Sequence, residues 1–489
     1  MIEMTALRKM AVQDQQKKIS EAIFYIKEEQ NDIVITGPAG HGKSHMSRKV
    51  LEGICKPNDN VLVCALAHSA LNVARNFLGN TKIKYESETL AAALHCTMRT
   101  EGEKKVFTPT KKYKLVRGKR VYIKSPISKA DKIIIDECSQ VSKSQLYMIE
   151  KLRKAGSVII FIGDKCQLPP PDREDGELYS PVFDLKTFDL IYPFRYGGEI
   201  SDIGKLFRTQ IELGINGEKF DPLVWKQLMG VKFKSFYMTN NENIFKDQMI
   251  KAFKKEPLDS IYISYTQYSY KKYGKWIRNQ ITGKKMPFEV GDYIISKNNY
   301  SRNNIPILRN GQEGEITGKR THTFAVIWVK NKLGKKQFHG IESSFSKLAN
   351  LKQLTAESLG IDISSVLVEE LKYWAHDINE IKQVPTIIRS TKRYNEILEY
   401  LGHYGDDFVT SMYDSNWDAW HELKDYLCDI EYPYGKTSHT AQGSSYNNCF
   451  PSLKDIYSVR PEYLSDLERL QSSYVAITRA KNIVLCLTQ

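Results

Sequence analysis

Long apolar runs, paired cysteines and internal repeats are all missing from this 489-residue sequence. Without a stretch of about 20 apolar residues there is no membrane-spanning helix to propose, and no signal-peptide pattern opens the chain. The eight cysteines form no CxxC pair and no metal-ligand spacing, which argues against a zinc domain or a disulfide scaffold and points to reduced, structural thiols in the cytosol. Without repeats or low-complexity tracts, ordinary globular domains remain, roughly two to four of them at this length. Acid is the scarcer charge: 57 Asp and Glu face 71 Lys and Arg, a formal net charge of +14. That excess suits a polyanion, nucleic acid above all, against the plainer reading of a merely soluble basic surface.

What the chain does contain is a phosphate cradle. Ile33-Val-Ile-Thr-Gly-Pro-Ala-Gly-His-Gly-Lys-Ser44 reads as a strand, a glycine loop and a helix start. Gly37, Gly40 and Gly42 let the loop bend until consecutive N–H groups face an anion, with Pro38, Ala39 and His41 completing it. Lys43 can then reach the β- and γ-phosphates of ATP, and the Ser44 hydroxyl can join the shell of Mg²⁺. At average residue frequencies the pattern GxxxxGK followed by Ser or Thr arises by accident in roughly 2% of chains this long, and the apolar run before it lowers that further.

Val61-Leu-Val-Cys-Ala65 is a second buried strand, Asp131-Lys-Ile-Ile-Ile-Asp-Glu137 a third and Ser157-Val-Ile-Ile-Phe-Ile-Gly-Asp164 a fourth. Strands alternating with helices predict a parallel α/β sheet whose ligands gather at the carboxyl ends of the strands. Asp136 and Glu137 stand at such an end. One carboxylate there can hold Mg²⁺ while its neighbour polarises the attacking water; without the phosphate loop, the pair would read as an ordinary solvated one. Gln167, after the fourth strand, could sense a γ-phosphate, though alone it would be a loop amide.

Five segments in order make the chain resemble the superfamily 1 DNA helicases, in particular their RecD/Dda-like branch. They are GPAGHGKS at Gly37 to Ser44, IIIDECS at Ile133 to Ser139, GDKCQLPP at Gly163 to Pro170, SHTAQG at Ser438 to Gly443 and YVAITRAK at Tyr474 to Lys481. The resemblance implies two RecA-like P-loop lobes with parallel sheets, ATP and Mg²⁺ between them and a DNA strand crossing both. It makes Lys43 and Ser44 the phosphate and Mg²⁺ contacts, Asp136 the metal-side carboxylate, Glu137 the catalytic base and Gln167 the γ-phosphate sensor. Arg195, in Tyr192-Pro-Phe-Arg-Tyr196, and Arg479, in Ile477-Thr-Arg-Ala480, match the two arginines that reach the phosphates from the second lobe. A guanidinium fork there offsets charge on the transferring phosphoryl group. Gln442 and Gly443 help to close the nucleotide cleft. For the glutamine that reads adenine, ahead of a helix expected over Ile19 to Lys27, the family spacing favours Gln16 over Gln15; the plain alternative for either is a solvated helix-start amide. Two departures bear on DNA contacts: Ala65-Leu-Ala67 precedes His68 where the family reads Ala-Pro-Thr, and Thr440 rather than Lys follows His439. His68, Thr89 and His439 are carried over as DNA contacts.

Two insertions are expected. Residues 104 to 124 carry nine Lys or Arg and no acid, ordinarily a solvated face, but the alternation of Val106-Phe-Thr108 and of Tyr113 to Ile123 around a Gly turn predicts a basic β-hairpin. In the related helicases a hairpin here parts the strands. Phe107, Lys112 and Tyr113 are then candidates at the fork, where an aromatic face stacked on a base contributes roughly 1–3 kcal/mol. Farther on, Asp292 to Ser296, Gly314 to Thr317, Phe324 to Lys330 and Lys336 to His339 read as short strands of a small barrel, and Leu351 to Asn379 and Arg393 to Leu401 as helices. The branch carries an SH3-like barrel with a helical projection at this place. Trp417 and Trp420 read as helix-packing residues, with DNA stacking the alternative. The expected division is residues 1–85 and 126–187 for lobe 1, 86–125 for the hairpin insertion, 188–285 and 431–489 for lobe 2, and 286–430 for the barrel and its projection. No fused nuclease or annealing domain is expected after the last strand, Asn482 to Leu487.

The function expected is an ATP-dependent DNA helicase translocating on single-stranded DNA, 5′ to 3′ by the branch resemblance, in phage-type replication, recombination or repair. Its expected partners are single-stranded and forked or tailed duplex DNA, with single-strand-binding or replisome proteins, and no membrane; its place is the cytoplasm, the host's if the chain is phage-encoded. The alternative is a nucleic-acid-stimulated ATPase that remodels nucleoprotein or acts on RNA without unwinding, because backbone contacts carry no base identity.

Overall fold

The computed structural model describes residues 2–66, 70, 71, 74, 75, 81–101, 104–109, 113–116, 119–171, 173, 177–192, 198–284, 288–297, 300–302, 305–308, 311–330, 336–342, 361–375, 380–386 and 429–489. Met1–Ile277 and Tyr434–Gln489 form one compact unit, and Arg278–Pro433 a second. No helix among the described residues is long and apolar enough to cross a membrane.

The first unit opens on α1 (Ile2–Glu29), β1 (Ile33–Thr36) and α2 (Lys43–Ile54), followed by β2 (Val61–Ala65), β3 (Tyr85–Thr89) and α3 (Leu90–Ala93). Next come β4 (Cys96–Glu101), β5 (Lys104–Pro109), β6 (Tyr113–Val116), β7 (Lys119–Tyr122), β8 (Lys132–Asp136), α4 (Lys143–Leu152), β9 (Val158–Gly163) and β10 (Lys186–Asp189). Six of these strands pair in the order β10-β1-β9-β8-β2-β3, every pairing parallel. The central strands are buried along their whole length, which is why they read as unbroken Ile and Val runs rather than as alternation. On α2, Met46, Val50, Leu51 and Ile54 recur at helical spacing and meet Ala22 and Ile26 of α1 over one face of the sheet; each fully buried aliphatic side chain contributes about 1.5–3 kcal/mol. α4 starts on a capping box between Ser142 and Gln145 and packs Met148 and Ile149 on the opposite face.

The sheet continues past residue 86, because β3 pairs with β2 from Tyr85 to Thr89. Its Tyr-Glu-Ser-Glu-Thr sequence conceals this: an edge strand covered from one side needs few apolar residues. Beyond it, β4 with β5 and β6 with β7 make two antiparallel pairs. Of the segments expected to form one hairpin, Val106 to Thr108 fall in the first pair and Tyr113 to Tyr122 in the second.

Then follow α5 (Glu199–Ile215), β11 (Phe236–Thr239), α6 (Glu242–Lys255), β12 (Ser260–Ser264) and α7 (Gln267–Thr282). The second unit contains β13 (Tyr293–Ser296), β14 (Tyr300–Arg302), β15 (Ile305–Leu308), β16 (Glu313–Lys330), β17 (Lys336–Glu342), β18 (Ile361–Ala375), β19 (Glu380–Thr386) and β20 (Ile430–Glu431). Its main sheet is antiparallel in the order β19-β18-β16-β13-β20, with β17 on β16. No pairing among the described residues closes it into a barrel. Gly314 to Thr317 and Phe324 to Lys330, expected as separate strands, are parts of the single strand β16. The helix expected over Leu351 to Asn379 is also corrected, since residues 361 to 375 are strand. Ile361, Ile363, Val366 and Val368 suit a ladder, and β18 finds a partner along nearly its full length in β16. Arg393 to Leu401 lies outside the described residues. Within this unit Arg278 makes a buried forked pair with Asp292 (2.7 Å from Nη2).

The chain returns to the first unit with β21 (Gly435–Thr437), α8 (Ser438–Ala441), β22 (Tyr446–Pro451), α9 (Leu453–Ser458), α10 (Asp466–Thr478) and β23 (Ala480–Leu487). They complete a second parallel sheet, β11-β23-β22-β12-β21. Phe207 and Ile211 of α5 and Leu470, Tyr474 and Ile477 of α10 cover one face of it. Two RecA-like lobes result.

Candidate active site

β1 ends at Thr36, and the chain turns through Gly37 (φ 144°), Gly40 (80°) and Gly42 (84°). A Cβ on Gly37 would stand 2.8 Å from the Leu190 carbonyl oxygen, so no other residue fits. Gly42 caps α2, whose unpaired N–H groups open into the loop formed by Pro38, Ala39, Gly40 and His41. Lys43 donates from Nζ to the Gly37 and Pro38 carbonyls, at 2.7 and 3.1 Å. Loss of hydration lowers its pKa, opposed by Asp164, Glu137 and Asp136. His41 is buried with Nδ1 3.2 Å from the Ala39 oxygen, and burial lowers its pKa to about 4.

β8 delivers Asp136 to the same edge. Glu137 follows at φ 55°, left-handed for a residue with a Cβ, which is backbone strain concentrated beside the phosphate loop. Its N–H donates to Asp136 Oδ1 at 2.9 Å. Burial, and after it the Glu137 charge, push the Asp136 carboxyl well above the ordinary carboxylate range. The hydroxyls of Thr36 and Ser139 are buried at these strand ends without a partner.

Lobe 2 supplies the facing wall. The Gln167 amide is satisfied when its nitrogen donates to Glu137 Oε2 (3.3 Å) and its oxygen accepts from Arg479 Nη2 (3.2 Å). The amide of Gln442 lies 3.3 Å from that of Gln167. Gly443, at φ 74°, runs so close that a Cβ would sit 3.1 Å from Ala70 Cβ and 3.5 Å from Glu137 Oε1. Arg479 is buried, and its Nε has no partner. The structure therefore gathers Lys43, Ser44, Asp136, Glu137, Gln167, Gln442, Gly443 and Arg479 at one cleft. Pro38, Ala39 and His41 of the loop line a pocket with Gly204, Tyr474 and Thr478 of lobe 2. Arg195 lies outside the described residues.

The helix expected over Ile19 to Lys27 begins much earlier. α1 already runs from Ile2, so Gln15 and Gln16 are mid-helix neighbours that point different ways. Gln16 is exposed. Gln15 is buried, donates to the Gly42 carbonyl (2.9 Å) and lies 3.0 Å from His45 Nδ1.

Sequence reasoning also passed over Asp164. This fully buried carboxylate at the end of β9 accepts from Arg208 Nη1 (2.5 Å) and from the Tyr474 hydroxyl (2.7 Å), both in lobe 2. Burial would raise its pKa, but Arg208 and Lys43 hold it below the usual range. Asp164 and Tyr474 both belong to the motif segments quoted above, yet nothing in either segment announces the partner.

Of the DNA candidates, Thr89 ends β3 and accepts from the Ala92 N–H (3.4 Å) as the cap of α3. His439 sits in α8, its ring 5.7 Å from that of Tyr265. Phe107 and Tyr113 fall in β5 and β6. His68, Lys112, Trp417 and Trp420 lie outside the described residues.

A phosphate loop on one parallel sheet, faced by an arginine from a second, defines a two-lobed RecA-like nucleotide hydrolase. Residues 11–182 match the AAA domain family. Uncharacterized protein R530 of Acanthamoeba polyphaga mimivirus is 22% identical over 482 residues, covering 91% of this chain and 94% of its own length. The ATP-dependent DNA helicase dda of Enterobacteria phage T4 is 23% identical over 473 residues, covering 93% and 94%. Among solved structures, Pif1 helicase from Bacteroides in complex with ADP-AlF3 and ssDNA is 14% identical at a TM-score of 0.47, over 96% of this chain and 91% of that one. By its ordered motifs and its full-length similarity to the phage protein, the chain resembles the superfamily 1 helicases of the Pif1/Dda-like kind.

Proposed function

We propose that this ATP-dependent DNA helicase moves 5′ to 3′ along single-stranded DNA, its lobes closing on ATP and opening after hydrolysis. The observation that carries the reading is the chain of contacts Glu137–Gln167–Arg479, which joins a carboxylate of lobe 1 to a guanidinium of lobe 2. In it, Glu137 accepts the proton of the attacking water. Gln167 registers the γ-phosphate, and Arg479, with Arg195, offsets charge on the phosphoryl oxygens. Lys43 and the loop N–H groups hold the β- and γ-phosphates. The half-buried carboxylate pair and the unpartnered hydroxyls beside it fit a hard divalent cation. Ser44 and Asp136 would hold Mg²⁺, which when bound supplies charge neutralisation on the phosphates. Gln16, or Gln15 where it borders the phosphate loop at Gly42, would meet the adenine side.

DNA is assigned to the carboxyl edges of the two sheets, where Thr89 and His439 lie, with His68 nearby in sequence. The basic segment with Phe107, Lys112 and Tyr113 acts as the pin at the fork. The 5′-to-3′ direction rests on the branch resemblance. Duplexes with a 5′ or a 3′ single-stranded tail test it: ATP-dependent unwinding is expected on the 5′-tailed substrate, and unwinding of the 3′-tailed one alone would overturn the direction. ATP turnover with no nucleic acid, single-stranded DNA, RNA and duplex DNA tests the substrate. Stimulation by RNA in place of DNA, or by DNA without any unwinding, would replace this reading with a remodelling ATPase.

A further inference from the structure

Asp164 carries a charge into the fully buried interior. A carboxylate there is tolerable only if both oxygens are met by strong donors, and here the donors come from the other lobe: Arg208 of α5 on Oδ1 at 2.5 Å and Tyr474 of α10 on Oδ2 at 2.7 Å. Arg208 is itself steadied by Glu212, which accepts from its Nε at 2.8 Å. Each end of this contact is stiffly tied to a group in the nucleotide cleft. In lobe 1 the Gln167 N–H donates to the Asp164 carbonyl (3.0 Å) and the Cys166 N–H to Asp164 Oδ1 (3.1 Å), so Asp164 and Gln167 move as one turn. In lobe 2 Tyr474 and Arg479 belong to the same helix and its cap, and the Arg479 carbonyl is pinned by the Tyr446 N–H at 2.9 Å.

We propose that Arg208 and Tyr474 are positioning residues, clamping Asp164 so that Arg479 arrives in register with Gln167 and Glu137 each time the cleft closes. The proposal rests on reading that cleft as the site of ATP hydrolysis. Neither residue touches the reacting atoms. Two arms from two helices on one carboxylate fix both the distance and the rotation of lobe 2 against β9, which one contact could not do. A small misplacement of a charge-stabilising group is expensive to catalysis and nearly invisible to ground-state binding.

Tyr474→Phe deletes one hydroxyl and keeps the packing. DNA-stimulated kcat should fall about tenfold, the loss expected for one hydrogen bond to a charged group, while KM for ATP stays within about twofold. Arg208→Lys, which keeps the charge and loses the fork, should show the same split. The decisive measurement is the double variant: added to Arg479→Ala, Tyr474→Phe should cost nothing more, because the clamp acts through Arg479. An unchanged kcat in Tyr474→Phe, a rise in KM alone, or losses that multiply in the double variant would each overturn the clamp. A wild-type protein without DNA-stimulated turnover would instead overturn the reading of the cleft, so the two failures are told apart by the wild-type control.

Discussion

Lobe 1 meets the cleft with the carboxyl ends of β1, β8 and β9, where the chain turns through Gly37, Gly40, Gly42 and Glu137 at positive φ. Lobe 2 meets it with the end of α10 and the loop after α8, and what it extends are the side chains of Arg479 and Gln442. Both sheets are parallel and similarly covered by helices, so the difference lies in which ends face the nucleotide. Backbone N–H groups on a strained turn hold a ligand whether or not the cleft is shut. Long side chains from the other lobe reach it only where the two lobes meet, as Arg479 and Gln442 do at Gln167. Lobe 1 should therefore govern nucleotide binding and the proton transfer, and lobe 2 the charge stabilisation that depends on contact between the lobes.

The largest effects should come from lobe 1. Lys43→Ala is expected to abolish ATP turnover while single-stranded DNA binding stays largely intact, because the proposed DNA contacts Thr89 and His439 lie on other segments than the phosphate loop; retained DNA-stimulated turnover would falsify the assignment. Glu137→Gln keeps the shape but cannot accept a proton, so kcat should drop by about 10³ with ATP affinity retained. Steady-state turnover combined with equilibrium nucleotide binding separates the two variants. If Glu137→Gln also lost ATP binding, its left-handed turn would be serving the fold and not the reaction.

A graded loss is expected from lobe 2. Arg479→Lys preserves the charge but not the planar fork, and kcat should fall by roughly 10² with little change in KM. A loss as complete as that of Lys43→Ala would erase the division of labour between the lobes, since it would make Arg479 part of ground-state binding.

How much of this could be read in advance follows the same division. The loop from Gly37 to Ser44 and the pair Asp136–Glu137 were legible because each is contiguous and follows a run of buried β-branched residues. The clamp was not, since Tyr474 lies 310 residues from Asp164 and a tyrosine or an arginine on a helix ordinarily means packing. That α1 begins at Ile2, burying Gln15 and exposing Gln16, was not legible, because the helix is too weakly amphipathic to announce its start. In the second unit β18 was missed because a strand is defined by its partner, and β16 lies some 30 residues upstream across a stretch of unlike composition. Local chemistry announces itself; long-range pairing does not.

The smallest effect concerns two histidines, one in each lobe. His41 is 3% exposed inside the phosphate loop, and burial lowers its pKa from 6.5 to about 4. In the unfolded chain the imidazole takes up a proton below about pH 6.5, whereas in the folded chain it does so only near pH 4. The unfolded state therefore binds more protons across that window, and stability must fall as pH drops through it, by about 2 kcal/mol between pH 7 and pH 5. His439 of lobe 2 is shifted in the same direction, by burial first, but it is only half-buried and water moderates the cost. Urea unfolding of the nucleotide-free protein at pH 7 and pH 5 should show the loss, and His41→Gln should remove most of it while His439→Gln removes less. An identical pH dependence in His41→Gln and the wild type would mean that water reaches the loop freely, and the rigid, dry phosphate cradle that distinguishes lobe 1 from lobe 2 would have to be given up.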